Sequence, residues 1–313
     1  MPSPVIAVVG PTAAGKSEFS LAVARSLDGE IINADSMQLY RDMDIGTAKL
    51  RPEERTGVPH HLLDIWDVTK SASVSEYQEL ARAAIGEIRS RGRVPILVGG
   101  SGLYVRAAID NLTFPGTDPR LRDRLEGELA QIGPAALHAR LASLDPAAAT
   151  AILPGNGRRI VRALEVVELS GQPFSATLPG YESVYETIQI GLSVPRPELD
   201  QRIADRVSRI WQAGFVDEVR RLAEAGLRDG RTASRALGYA QVLRYLAGEW
   251  SQEQAAEETV RATRRFARRQ ESWFRRDPRI AWLPAGGPDL LGRALATIGS
   301  CDSPRATAPG TTS

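Results

Sequence analysis

With one cysteine in 313 residues, Cys301, the chain has no internal disulfide framework and no cysteine-built zinc site, a usage that suits a reducing compartment. No run approaches the ~18 apolar residues of a membrane span, and the first residues lack the basic stretch, apolar segment and small-residue site of a secretory leader. A cytoplasmic protein with no membrane partner is the expectation. There is also almost no net charge, +1 overall, which conceals a strong local asymmetry discussed below. The 42% hydrophobic content is enough for one large core or two smaller ones, about two domains at this length.

One dense stretch near the start organises the rest. Val5-Ile-Ala-Val-Val suits a buried parallel strand, and Gly10, Pro11, Thr12, Ala13, Ala14, Gly15, Lys16 and Ser17 keep the G-x-x-x-x-G-K-[ST] spacing of a P-loop. Glycines let backbone N–H groups converge on phosphate oxygens, and the helix opening near Lys16 adds its positive end. Lys16 supplies charge and the Ser17 hydroxyl can ligate Mg²⁺. The motif specifies phosphate without specifying ATP.

A helix over 18–26 follows, and a second buried strand over 30–34 delivers Asp35, Ser36, Met37 and Gln38 at its carboxyl end, where open α/β sheets bind ligands. A turn or N-cap aspartate is the competing reading of Asp35. Residues 60–66 read as a short strand, in which His60 and His61 point to opposite faces and make poor joint metal ligands. An amphipathic helix over 75–89 and a strand over 93–98 come next, then Gly99-Gly100-Ser101-Gly102. Those glycines either offer a second backbone surface to the cleft or permit close packing.

From 115 the strands stop and four helical segments follow, punctuated by proline and glycine; Arg158, Arg159 and Arg162 form a basic edge or an ordinary solvated cluster. Strand character returns over 187–194, so the core is discontinuous in sequence. Helices are expected over 199–213, 216–225, 233–247 and 252–276, the last capped by Ser251. The fold class is therefore α/β: a P-loop NTPase-like parallel sheet flanked by helices, with an inserted all-helical domain and a helical C-terminal region. Its parts are 1–114 and 183–299 for the core, 115–182 for the insertion, and 300–313 for a disordered tail.

The helix over 252–276 carries seven arginines, all within roughly 140° of arc at ~100° per residue. Phe266, Trp273 and Phe274 occupy the remaining arc and are expected to dock on the protein, while the arginines face a polyanion such as nucleic acid. From Val260 to Arg276 acids are sparse, with Glu271 inside that stretch and Asp277 just beyond. A solvated charged face is the alternative.

Gly10-Pro-Thr-Ala-Ala-Gly-Lys-Ser, Asp35-Ser-Met-Gln-Leu-Tyr, Asp44-Ile-Gly-Thr-Ala-Lys, His60-His-Leu-Leu-Asp, Val98-Gly-Gly-Ser-Gly-Leu-Tyr, Arg162-Ala-Leu-Glu-Val, Leu237-Gly-Tyr and Arg268-Arg-Gln-Glu-Ser-Trp-Phe-Arg occur in that order. Together they resemble the tRNA dimethylallyltransferases, and without a zinc-finger extension after Arg276 they resemble the bacterial form. The resemblance implies transfer of a dimethylallyl group from dimethylallyl diphosphate to the exocyclic amine of the adenosine 3′ of a tRNA anticodon, with Mg²⁺ as cofactor. It implies a P-loop that holds diphosphate, Asp35 as the base that takes the amine proton, and Thr12 beside the reacting bond. Arg202 or Arg206 matches the diphosphate-binding arginine. Asp35 to Gln38, Ser101, Arg235, Gly238 and Tyr239 would handle the adenosine. The insertion, through Arg158, Arg159 and Arg162, would grip the anticodon stem-loop, and Arg264 and Arg268 would meet tRNA phosphates. A monomer is expected.

Two departures from the family pattern, Ala14-Gly-Lys-Ser17 for Ser-Gly-Lys-Thr and Gly100-Ser101-Gly102 for Gly-Thr-Gly, both keep a hydroxyl where one is needed. The rival readings are an ATP-dependent P-loop kinase of a nucleotide or small metabolite, and a non-catalytic RNA-binding module that uses the P-loop as a switch.

Overall fold

The computed structural model of the chain describes residues 2–174 and 178–301. Strand β1 (Val5–Val9) leads through the P-loop into α1 (Lys16–Leu27), β2 (Gly29–Asn33), β3 (His60–His61), α2 (Val74–Ser90), β4 (Val94–Gly99) and α3 (Gly102–Ile109). The helices α4 (Pro119–Leu144), α5 (Pro146–Ala151) and α6 (Gly157–Ser170) follow. The chain then returns through β5 (Thr187–Ser193), α7 (Arg196–Gln212), α8 (Phe215–Glu224), α9 (Tyr239–Leu246), α10 (Gln252–Phe274), β6 (Ile280–Pro284) and α11 (Leu290–Cys301).

The strands form one six-stranded sheet in the order β3-β2-β4-β1-β5-β6, and every pairing is parallel. This is the P-loop-like α/β fold expected from the sequence. Because β1 and β2 are flanked by other strands and covered on both faces, all ten of their residues are buried, as continuous Val/Ile runs require. β1 sits between β4 and β5, so the P-loop opens at the middle of the sheet, beside the carboxyl ends of both neighbours.

Several elements depart from the sequence reading. The strand expected over 60–66 stops after His61, because Leu62 (φ 61°) and Asp64 (φ 58°) take left-handed conformations that end a ladder. The helix expected over 233–247 is a 3₁₀ turn at Ala233–Arg235 followed by α9, broken by Gly238 at φ 85°. β6 and the helical span Leu290–Cys301 were not anticipated. β6 is five residues long between Pro278 and Pro284, too short for a periodicity to declare itself. The expected disordered tail, apart from residues 300 and 301 at the end of α11, lies outside the described residues.

The chain divides into two compact units: Met1–Asp110 with Ser183–Ser313, and Asn111–Glu182. In the first, buried Asp110 accepts from Arg106 Nε (2.6 Å) and Arg279 (2.7 and 3.1 Å). The second has its own core of Leu125, Leu137, Leu141, Ile160 and Leu164. Its long helix α4 kinks at Gly133 (φ 78°), before Pro134. Its buried Glu165 carboxylate is neutralised by Arg122 and Arg162. No helix among the described residues is long and apolar enough to cross a membrane.

Candidate active site

Three residues of the P-loop have positive φ: Gly10 (138°), Ala13 (64°) and Gly15 (88°). Left-handed residues alternating with ordinary ones turn successive N–H groups to one side, the backbone nest that binds anions. At Gly10 a Cβ would lie 2.8 Å from the Leu192 carbonyl oxygen, whereas at Gly15 it would meet nothing within 4 Å, so the second glycine serves conformation alone. Gly10, Pro11 and Ala14 are buried beneath the loop; Thr12, Ala13, Gly15, Lys16 and Ser17 line a cavity of about 600 Å³. The Lys16 ammonium donates to the Pro11 carbonyl (2.7 Å), folded over its own loop. Burial pushes its pKa down to about 8 against the pull of the Asp35 carboxylate, with Arg206 adding to the depression.

Asp35 follows β2 in a turn built by its neighbour: Asn33 Oδ1 accepts the Asp35 N–H (2.9 Å) and Asn33 Nδ2 donates to the Asp35 carbonyl (3.0 Å). One carboxylate oxygen, Oδ1, caps the Met37 N–H at 2.9 Å. The competing reading of Asp35 as a turn aspartate is therefore correct for one oxygen. The other, Oδ2, has no hydrogen-bond partner among the described residues, and Asp35 lines two cavities at once.

The second cavity, about 330 Å³, is more apolar, with Ile203, Val207, Ile210, Leu237 and Phe266 on its walls. Ser36, Met37, Ser101, Arg235, Gly238 and Tyr239 line it too, and Gln38 lies in the first cavity. Thr12, Asp35, Thr47, Arg206 and Phe266 line both. The Tyr239 hydroxyl is turned away to donate to buried Glu218 (2.6 Å), whose carboxylate also accepts the N–H groups of Asp44, Ile45 and Gly46. That clamp shapes the loop presenting Thr47.

Between Arg202 and Arg206 the geometry discriminates. Both line the first cavity, but Arg202 is paired with Glu198 (2.6 Å). Arg206 reaches further in and donates to the Thr47 carbonyl at 2.9 Å. Burial lowers its pKa from the ordinary arginine value, Asp35 opposing the shift and Arg209 adding to it.

The glycines at and after the end of β4 permit close packing, and the same segment faces the site, with Gly99 lining the first cavity and Ser101 the second. A Cβ on Gly99 would lie 2.3 Å from the Ala34 backbone, one on Gly100 2.2 Å from Gln270 Nε2, and one on Gly102 2.0 Å from the Trp273 ring. The α10 arginines do not act as one face. Arg261 and Arg265 pair with Glu257 and Glu258 one or two turns back, Arg264 donates to the Asp200 carbonyl (3.1 Å), and Arg275 stacks 4.1 Å from the Trp282 ring. The acids missing from the arginine-rich segment are thus supplied by the preceding turns and by α7. Arg268 is exposed and makes no ion pair or hydrogen bond among the described residues; Arg269 lines the second cavity. The aromatics divide likewise: Phe274 is buried, Phe266 lines both cavities, and Trp273 is 36% exposed.

In the helical unit, Arg158 and Arg159 are exposed in the first turn of α6. Arg162 instead donates to the Pro115 and Gly116 carbonyls (2.7 and 3.0 Å) and pairs with Glu165. Thr47, Arg209 and Gln270 on the cavity walls carry no site signal of their own in the sequence, and Phe266, expected to dock on the protein, lines both cavities instead. Phe266 and Gln270 are one helical turn apart on the face opposite the arginines, a signal masked by the arginines around them.

No group of three or more His, Cys, Asp or Glu side chains among the described residues could cage a metal ion. Ser17, exposed in the first turn of α1 on the cavity wall, fits a Mg²⁺ that takes most of its ligands from a bound diphosphate and water.

The sequence model of the IPP transferase family matches residues 38–277. The tRNA dimethylallyltransferase of Thermobifida fusca is 70% identical over 301 residues, covering 95% of this chain and 94% of that one. Its Streptomyces avermitilis counterpart is 70% identical over 290 residues, covering 92% and 93%. Among solved structures, the tRNA isopentenylpyrophosphate transferase of Bacillus halodurans superposes with a TM-score of 0.71 at 41% identity, covering 95% of this chain and 97% of that one. A eukaryotic dimethylallyltransferase acting on tRNA superposes at 0.79 with 26% identity, covering 97% and 81%. A P-loop cavity, a carboxylate at its edge and relatives of this closeness over nearly the whole length lead to one conclusion: the chain belongs to the IPP transferase family.

Proposed function

We propose that this chain transfers the dimethylallyl group of dimethylallyl diphosphate to N6 of the adenosine 3′ of a tRNA anticodon, acting in the cytoplasm as a monomer. The observation that carries this reading is the position of Asp35, which lines both a cationic cavity and an apolar one and keeps Oδ2 uncommitted. A diphosphate suits the first cavity, with the N–H nest of Ala13–Ser17, Lys16 and Arg206 around it. The dimethylallyl group and adenine suit the apolar walls of the second.

The adenine amine is a weak nucleophile because its lone pair is delocalised into the purine. As N6 attacks the allylic carbon, the carbon–oxygen bond to diphosphate breaks, and the N6 proton passes to Asp35 Oδ2. Charge growing on the departing diphosphate is met by donors already in place, Lys16, Arg206 and the loop amides. Ser17 would hold Mg²⁺, which supplies further neutralisation of that charge. Reaching the amine means drawing the base out of its loop, at a cost of a few kcal/mol. We assign the exposed Arg158 and Arg159 to the anticodon stem-loop backbone.

The test is incubation with unmodified tRNA, Mg²⁺ and radiolabelled dimethylallyl diphosphate. Label in tRNA is expected, and Asp35→Asn is expected to slow single-turnover transfer by about 10²–10⁴-fold, the range for loss of a general base. ATP turnover without labelled tRNA overturns the reading in favour of a kinase. Unchanged single-turnover transfer in Asp35→Asn overturns the base assignment.

A further inference from the structure

Helix α10 presents Arg268 to solvent on one side and closes the substrate cavities on the other. Between those faces stands a polar side chain that the chemistry above does not use. Gln270 is 6% exposed, and both ends of its amide are occupied. Its Oε1 accepts the Thr12 N–H at 2.9 Å, and its Nε2 donates to the Gly100 carbonyl at 2.9 Å. Thr12 belongs to the loop after β1 and Gly100 to the loop after β4, and these strands are neighbours in the sheet. One amide therefore bridges two loops at the mouth of the sheet and fastens both to α10. The fit is close, since a Cβ at Gly100 would stand 2.2 Å from Nε2.

We propose that Gln270 is a positioning residue that sets the P-loop by fastening it to α10 and to the loop after β4. The inference rests on the function proposed above and extends it to a residue that touches no reacting atom. Glutamine is the side chain the site demands. The bridge needs one donor and one acceptor from a single planar group, which an ionised carboxylate and an aliphatic chain both fail to provide. Thr12 lines both cavities beside Asp35. By taking the Thr12 N–H, Gln270 holds that residue at the junction of the two cavities.

The test uses the full chain with Gln270→Met, which keeps length and loses both bonds, and Gln270→Glu, which keeps the acceptor but ionises. Three readouts are taken: amide hydrogen exchange at Thr12, tRNA affinity, and single-turnover transfer across pH. For Gln270→Met, faster exchange at Thr12, unchanged tRNA affinity and a turnover loss of about 100-fold are expected, the scale of a 1 Å misplacement. For Gln270→Glu, transfer should recover as pH falls and the new carboxyl gains a proton to donate to Gly100, a rise that the parent enzyme does not show. Parent-like Thr12 exchange in Gln270→Met, or equal transfer by all three proteins, overturns the proposal. So does a Gln270→Glu profile parallel to the parent's. If the parent itself leaves tRNA unlabelled, the functional reading fails separately, and the Thr12 exchange still decides on the bridge.

Discussion

The two cavities that meet at Asp35 are built by different means. The larger, cationic one takes its floor from a continuous stretch, Thr12 to Ser17, whose backbone direction is fixed by φ at Gly10, Ala13 and Gly15, and it adds the side chains of Lys16, Arg202, Arg206 and Arg209. The smaller, apolar one has walls drawn from stretches as far apart in sequence as Thr12 and Arg269, and its capacity is side chain. A backbone nest tolerates change at its side chains so long as the dihedrals hold. A side-chain pocket depends on several elements arriving in register. The phosphate nest is therefore local in sequence, while the arginines that reach it and the walls of the second cavity depend on the packing of α7, α9 and α10.

The comparison can be broken most forcefully at Arg206, a cationic residue on the walls of both cavities. Arg206→Gln is expected to weaken pyrophosphate binding by about 100-fold, as for other buried charge contacts. Arg202→Gln, already neutralised by Glu198, should cost about threefold. Calorimetric titration of pyrophosphate checks both, and equal losses would return the two arginines to the same footing.

A smaller effect separates the cavities by pH. Lys16, brought by burial to about 8, carries its charge below that pH in the unliganded protein and loses it as pH rises. A bound diphosphate restores the proton, so affinity should fall by up to about tenfold per unit above pH 8. Titrations in buffers of different ionisation enthalpy should show proton uptake in that range, and its absence would detach Lys16 from the anion. Binding of an uncharged prenyl alcohol in the second cavity should show no such dependence.

The mildest expected change concerns tRNA. Arg268→Gln should reduce the slope of log affinity against log salt by about one phosphate contact. Arg264→Gln should leave that slope alone and lower the melting temperature instead, because its guanidinium is spent on the Asp200 carbonyl. Filter binding over a salt series distinguishes them.

The legibility of the site follows the same division. The P-loop was read from eight consecutive residues because a phosphate nest is a local device, and Asp35 because it ends a buried strand. The arginine periodicity of α10 is local and legible, while its partners are not: Glu257 and Glu258 precede the arginine-rich stretch and Asp200 comes from α7. The glycines after β4 were ambiguous because the atoms they make room for, in Ala34, Gln270 and Trp273, belong to distant parts of the chain. Gln270 was invisible for the same reason, since nothing in one sequence pairs it with Thr12, 258 positions away.

By itself the sequence determined the parallel α/β class, the phosphate cradle and the carboxylate at the end of β2, since each rests on spacing within a few residues and on backbone preferences that act locally. Only the tertiary structure decided that Arg206 and not Arg202 reaches inward, that Arg162 is absorbed by Glu165 and two carbonyls, and that an apolar pocket opens beside Asp35. Those outcomes turn on which side chains compete for the same buried space and partner. That competition is settled when the elements pack, by desolvation and hydrogen-bond satisfaction across long sequence separations.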